Sequence, residues 1–457
     1  MPKNELTHPS QPIKGQSLLN LKAVLESRVG GGEVRDLDLA MLMNVPVNRL
    51  SQLKRAQSSI FVIGNIESEP DGDNEDGADE VPSLRPSQAI LTRLLLKHPE
   101  YAPLPVRASN AEILDLIAPV MDVIGGGGKK ESSAQPRKLG FAPLFGRSYI
   151  SSYKMLAEGD SGTSNTGLAV VRLQMLVIGK FARLYKSVLR EYISTYRDKQ
   201  AFPSDEMFED GWELLRERDS LTDWMSDPVY LSFVERVQDE WRKWFSNCYL
   251  EVLRDEAISR NIEPEIAIEK GKWTNTEPVS DEEFASYSRA TKPILGRSDS
   301  LFSMFRESFQ LTSAEAYWAL GIQVKAFYRF RQRANQRIDA ATSILVRYLF
   351  RYPEDISLFV EPPPPGSEIL ARIQQEDPDF RLGQLAPLFG ASRVMSYGFA
   401  NDELPCPFFA RRLATIFHRQ SVRGRPIYQE LRECVEDEIV ARGLDRNQFW
   451  RDGRWHH

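Results

Sequence analysis

An internal repeat constrains this chain more than any other feature, because a sequence that carries one pattern twice is expected to build related structures twice. AILTRLLLKHPE, Ala89 to Glu100, aligns without gaps to SILVRYLFRYPE, Ser343 to Glu354, 254 residues later. Ile90/Ile344, Leu91/Leu345, Arg93/Arg347, Leu95/Leu349, Pro99/Pro353 and Glu100/Glu354 are identical pairs. Upstream, MNVPVNRLSQLKR aligns to LGIQVKAFYRFRQ, which sets Asn44 against Gly321, Val47 against Val324, Leu50 against Phe327 and Leu53 against Phe330. The wider spacing there is explained by an acidic insertion in the first half, ESEPDGDNEDGADE from Glu67. Downstream, Glu112-Ile113-Leu114 matches Glu368-Ile369-Leu370, and APLFGRSYISSY (Ala142 to Tyr153) matches APLFGASRVMSY (Ala386 to Tyr397). The order is preserved, so the sequence reads as a duplication of two short helical modules: one and two in the N-terminal half, three and four in the C-terminal half.

Composition narrows the class. With 457 residues, 42% hydrophobic and 27% charged, the chain is long enough for two to four packed units and is not composed like a disordered protein. Strand signals are sparse, and Gly30 to Gly32, Gly125 to Gly128 and Pro362 to Pro365 cannot continue helices. The expected fold is all-α: several small helical bundles arranged as a pseudo-duplicated chain around a helical middle segment. The expected divisions are a flexible segment 1–32, module one at 33–122 with the acidic insertion 66–82, and module two at 137–185. A Trp-rich middle domain at 186–300, module three at 311–360, and module four with a C-terminal helix at 368–445 follow.

No stretch of about 18 apolar residues is present to span a bilayer, and the polar start lacks a signal-peptide core. Cys248, Cys406 and Cys434 lie far apart and no histidine falls beside them in ligand spacing, so neither a zinc site nor a disulfide framework is expected. The expectation is a cytoplasmic, nucleoid-associated protein without cofactor or metal. Glu67 to Glu80 is calcium-like only in its alternating acids: Asp76 stands where the loop needs glycine and Pro82 where it needs glutamate. GGGGKKESS from Gly125 has Lys130 where a phosphate loop needs Ser or Thr. No nucleophile–base or paired-carboxylate arrangement stands out, so no catalytic residue is expected.

Module one, DLDLAMLMNVPVNRLSQLKR, resembles the helix-turn-helix of the lambda-repressor-like DNA-binding family. Leu39, Ala40 and Leu42 give the first helix a buried face, Asn44 suits a left-handed turn, and Leu50 and Leu53 dock the second helix. The resemblance implies that the second helix reads the major groove. That makes Val47, Asn48 and Gln52 candidate base readers, with Arg49, Lys54 and Arg55 facing outward beside them. Module three, SAEAYWALGIQVKAFYRFRQR, has Gly321 at the turn and Phe327 and Phe330 as the docking pair. Its outward residues Lys325, Tyr328, Arg329, Arg331, Gln332 and Arg333, continued by Arg337, form the most basic stripe of a chain whose net charge is −6. Asn and Gln suit adenine; Lys and Arg suit guanine or phosphate.

Modules two and four keep the alanine and glycine of the pattern, at Ala142 and Gly146 and at Ala386 and Gly390, but depart from it afterwards. Ser152 and Ser396 stand where an aliphatic residue should dock, with Ile150 and Val394 as substitutes if the turn is shortened. These modules are therefore expected to be degenerate supports, and DNA contact through Arg147, Tyr149, Lys154 or Arg393 is doubtful. In the middle segment Phe233, Val237, Trp241, Trp244, Phe245, Cys248 and Val252 recur at helical spacing. They read as a core face or, alternatively, as a helix for a homodimer or protein partner. The functional expectation is a sequence-specific double-stranded DNA-binding protein, a transcriptional regulator of bacterial, phage or mobile-element type. The alternatives are replication, partition or conjugation-origin binding, or an interaction scaffold that does not touch DNA.

Overall fold

A computed structural model describes residues 11–28, 34, 36–45, 50, 53–54, 84–102, 109–121, 140–157, 168–196, 228–273, 304–321 and 338–455. Among them all regular structure is helical, as the sequence predicts. In chain order the α-helices are α1 (Gly15–Arg28), α2 (Asp36–Leu42), α3 (Pro86–Lys97), α4 (Asn110–Met121), α5 (Ile150–Met155) and α6 (Leu168–Tyr196). There follow α7 (Pro228–Trp244), α8 (Leu250–Ser259), α9 (Pro264–Ile268), α10 (Ser313–Leu320), α11 (Ala340–Arg351) and α12 (Gly366–Glu376). The chain closes with α13 (Leu385–Leu388), α14 (Met395–Ala400), α15 (Phe408–Val422), α16 (Ile427–Ala441) and α17 (Arg446–Asp452). Among the described residues no helix is long and apolar enough to cross a membrane.

The helices divide into two compact units, and the division does not follow the two halves of the sequence. Unit 1 combines Met1–Leu104 with Pro362–His457, whereas unit 2 is Pro105–Glu361. Module one up to Leu104 therefore shares unit 1 with module four, whereas its expected remainder, with α4, falls in unit 2 with modules two and three.

Unit 1 is built around α3. Pro86 opens this helix with a preset φ, and Gln88 accepts a hydrogen bond from the Arg85 backbone N–H. From Ser87 to Leu95 every residue is buried, the mark of a helix enclosed on all sides. α1, α15 and α16 pack around it. The segment before residue 33 is thus not simply flexible: Leu18, Leu21 and Leu25 recur on one face of α1 and bury it in the core. Each fully buried leucine of this kind stabilises by about 1.5–3 kcal/mol. At the other end of the chain α17 runs past the expected limit at 445, begun by the Asp445 side chain accepting from the Gln448 N–H.

Unit 2 repeats the plan around α11, buried from Ala340 to Leu349 and capped by Asp339, whose carboxylate accepts from the Thr342 N–H. α6, α8 and α10 pack against it. The middle-segment stripe lies in this core: Val237, Trp241, Phe245 and Val252 are buried. Trp241 meets Phe181 of α6 edge-on, and its indole N–H donates to the Leu116 carbonyl. Trp212 and Trp224 lie outside the described residues.

The central helix of each unit is held by the same buried ion cluster. In unit 1 Glu438 of α16 accepts from Arg93 at 2.9 Å and from Arg442 at 2.8 Å, and Arg442 also donates to the Leu84 carbonyl at 3.1 Å. In unit 2 Glu256 of α8 pairs with Arg347 and with Arg260, and Arg260 donates to the Ile338 carbonyl at 2.6 Å. A rim pair flanks each cluster, Lys97 with Asp437 at 3.1 Å and Arg351 with Asp255 at 3.2 Å. In both clusters the central glutamate is flanked by two guanidinium groups, the condition under which buried charge is tolerated.

Candidate nucleic-acid interface

The turn of each module is where local sequence and backbone geometry meet. α2 of module one ends in a turn at Asn44, a non-glycine residue at φ 50°, and α10 of module three ends at Gly321, φ 62°. α10 also begins sharply, because Thr312 and Glu315 form a reciprocal capping box. In module one Leu39, Ala40 and Leu42 are buried as a docking face, and Leu50 and Leu53 are buried with them. The Asn44 amide donates to the Phe408 carbonyl at 3.1 Å, tying the turn to α15 within unit 1.

Of the twelve predicted DNA-contacting residues, one is described. Lys54 is partly buried and bonds Asp36, the first residue of α2, at 2.7 Å. Val47, Asn48, Arg49, Gln52 and Arg55 lie outside the described residues, as do Lys325, Tyr328, Arg329, Arg331, Gln332 and Arg333, and with them the docking pair Phe327 and Phe330. The acidic insertion 66–82 also lies outside them.

Residues 140–157 of module two and the whole of module four are described, and both modules build two short helical segments around a left-handed glycine. In module two the single turn Ala142–Phe145 leads through Gly146, φ 69°, to α5; in module four α13 leads through Gly390, φ 74°, to α14. A Cβ on Gly390 would stand 2.2 Å from the Ser87 nitrogen, and one on Gly146 would stand 2.7 Å from the Ala341 nitrogen. The glycine in each thus serves the turn and also lets the first residues of the central helix approach.

The serines that break the aliphatic pattern are structural. Ser152 and Ser396 are buried, and each hydroxyl accepts the backbone N–H of the alanine that opens its module, Ala142 or Ala386, at 3.0 Å. Ser396 also donates to the Gly383 carbonyl at 3.2 Å. The second segment is therefore docked on the first by a hydrogen bond where an apolar contact was expected. Ile150 and Val394, the expected substitutes, do not dock: they are 56% and 85% exposed. The signal in the sequence was the serine itself, ten residues after alanine in both modules.

Their outer surfaces correspond as well. Tyr153 and Tyr397 are 66% and 59% exposed, one turn beyond Ile150 and Val394, so each unit offers an aliphatic and an aromatic side chain on the outer face of the second helix. Lys154 is exposed, whereas Arg393 turns back to donate to the Arg451 carbonyl at 2.5 Å. His98 ends α3 and stacks on Tyr101. Among the described residues no cluster of His, Cys, Asp and Glu could hold a metal.

A further sequence correspondence emerges only once the ion clusters are visible. Leu250 to Trp273 and Arg432 to Trp455 align without gaps, pairing Asp255/Asp437, Glu256/Glu438, Arg260/Arg442, Gly271/Gly453 and Trp273/Trp455. Its signal was faint because the shared residues are charges, one glycine and one tryptophan, with little apolar identity between them. No known protein family, curated protein or solved structure matches the chain.

Proposed function

We propose that this chain is a non-enzymatic, sequence-specific double-stranded DNA-binding protein, a duplicated regulator of bacterial, phage or mobile-element type whose modules one and three read the major groove. One observation carries the reading: the first helices of both modules run into a left-handed residue, Asn44 or Gly321, at the position where a helix-turn-helix must redirect its chain. The second segments then begin with Asn48, Arg49 and Gln52 in one module and with Lys325 and Arg329 in the other. An Asn/Gln surface and a Lys/Arg surface prefer different bases, so the operator is asymmetric or imperfectly palindromic.

The test is selection from a genomic DNA library at two salt concentrations. A regulator enriches one motif, and its affinity falls steeply with salt as counterions are released. Replacing Lys325 and Arg329 with alanine weakens binding and relaxes one side of the motif; unchanged affinity and preference remove module three as a reader. A scaffold reading is favoured by the paired exposed residues Ile150 and Tyr153, and Val394 and Tyr397. It is the better account if no motif is enriched.

A further inference from the structure

The two ion clusters share more than chemistry. Arg93 and Arg347 are repeat equivalents, and so are Glu438 and Glu256, yet Arg93 of the first half meets the glutamate of the second half, and Arg347 of the second half meets the glutamate of the first. The glycine contacts cross in the same sense. Gly390 of the second half abuts Ser87 of the first, and Gly146 of the first half abuts Ala341 of the second, with Ser87 and Ala341 themselves equivalent.

We propose that the protein is a reciprocally exchanged dimer carried in a single chain. The early part of each half, ending in α3 or α11, presents a self-recognition surface, and its partner is the late part of the other half, a helix bearing Asp-Glu-x-x-x-Arg. A chain carrying this repeat once would recognise a second copy of itself through the same surface.

Both the crossed and the uncrossed pairings would form the central ion cluster, so that cluster does not select between them. The residues that differ between α3 and α11 do. Ser343 donates to Glu256 at 2.7 Å, and Tyr348 accepts from the Trp244 indole at 3.2 Å. On α3 the equivalent positions are Ala89 and Leu94, which offer no hydrogen bond, so uncrossed pairing would leave the Trp244 N–H facing a leucine. The late part of the first half is thereby directed to α11, and α3 is left for the late part of the second half. For DNA reading, a consequence that rests on the proposed function, the turn of module one shares its unit with module four and module three with module two, so sequence neighbours act in different units.

Zero-length carbodiimide cross-linking of the intact chain tests the exchange without reference to DNA. Lys97 lies 3.1 Å from Asp437, whose counterpart in the first half is Asp255. An equal mixture of ordinary and nitrogen-15-labelled chains is treated at low concentration, digested and read by mass spectrometry. The expected result is a Lys97–Asp437 amide in isotopically pure peptides, lost in Asp437→Asn and kept in Asp255→Asn. A Lys97–Asp255 link, or no link between Lys97 and Asp437, would overturn the exchange; an isotopically mixed Lys97–Asp437 link would overturn its closure within one chain. A chain that cross-links as expected but enriches no DNA motif retains the exchange and loses the regulator reading, and the converse result separates them equally.

Discussion

At the scale of single residues, the buried serines and the left-handed glycines do the most with the fewest atoms. Ser396→Ala leaves the Ala386 N–H and the Gly383 carbonyl without their hydroxyl partner, and an unsatisfied buried group costs about 1–3 kcal/mol. Thermal denaturation should show that loss, while Ser396→Thr, which keeps the hydroxyl, should lose less. Gly390→Ala should be worse than either, because it adds a left-handed strain to a close approach against the Ser87 backbone. A pH effect belongs to Asp402, whose carboxylate accepts from the Ser367 hydroxyl and from the Gly366 and Ser367 backbone N–H groups at the start of α12. The Ser367 hydroxyl and these backbone groups hold its pKa below the ordinary 3.8. The stabilisation is therefore fully present above that value and is lost as pH falls through the lower folded value. The stability advantage of the protein over Asp402→Asn, measured by urea denaturation across an acid series, should shrink in that direction. An advantage that grew toward acid would contradict the assignment. The thiols divide by burial: Cys406 and Cys434 are buried and pushed up to about 12 by desolvation, whereas Cys248 is partly exposed. Alkylation of the native protein near pH 8 should modify Cys248 first.

At the scale of elements, α3 and α11 were legible because their apolar residues recur so densely that only an enclosed helix can use them. The same periodicity made α1 legible in principle, with Leu18, Leu21 and Leu25 on one face; its glycine-rich flank and polar neighbours concealed it. What periodicity could not supply was the partner of Arg93 or Arg347, since an arginine in an apolar helix announces a counter-charge without saying where it comes from. The clusters are correspondingly sensitive. Glu256→Gln leaves Arg347 and Arg260 buried without their carboxylate, and breaking a buried pair this way costs about 3–5 kcal/mol. Chemical denaturation should register that loss, and a change below about 1 kcal/mol would mean that the cluster is solvated.

At the scale of the whole molecule, the composite build of unit 1 makes a prediction that sequence distance alone would not. A chain ending before Ile427 lacks α16, which packs on α3 and supplies Glu438 to Arg93. Hydrogen exchange should therefore show α3 deprotected, although it lies more than 300 residues from the cut, while α6 and α11 of unit 2 keep their protection. Loss of protection in unit 2 and its retention in α3 would be the opposite of what this packing requires.

By itself the sequence determined what depends on near neighbours. It specified the helical class, the repeat and the left-handed turns at Asn44 and Gly321, because φ preference and apolar spacing act within a few residues. Tertiary structure decided that Ser152 and Ser396 dock by hydrogen bonds and that the halves are paired crosswise. That pairing lay beyond local reading for a physical reason. The competing partners carry the same Asp-Glu-x-x-x-Arg chemistry, and the groups that separate them, Ser343 and Tyr348 against Ala89 and Leu94, act through hydrogen bonds to Glu256 and Trp244 that form only after the chain has folded.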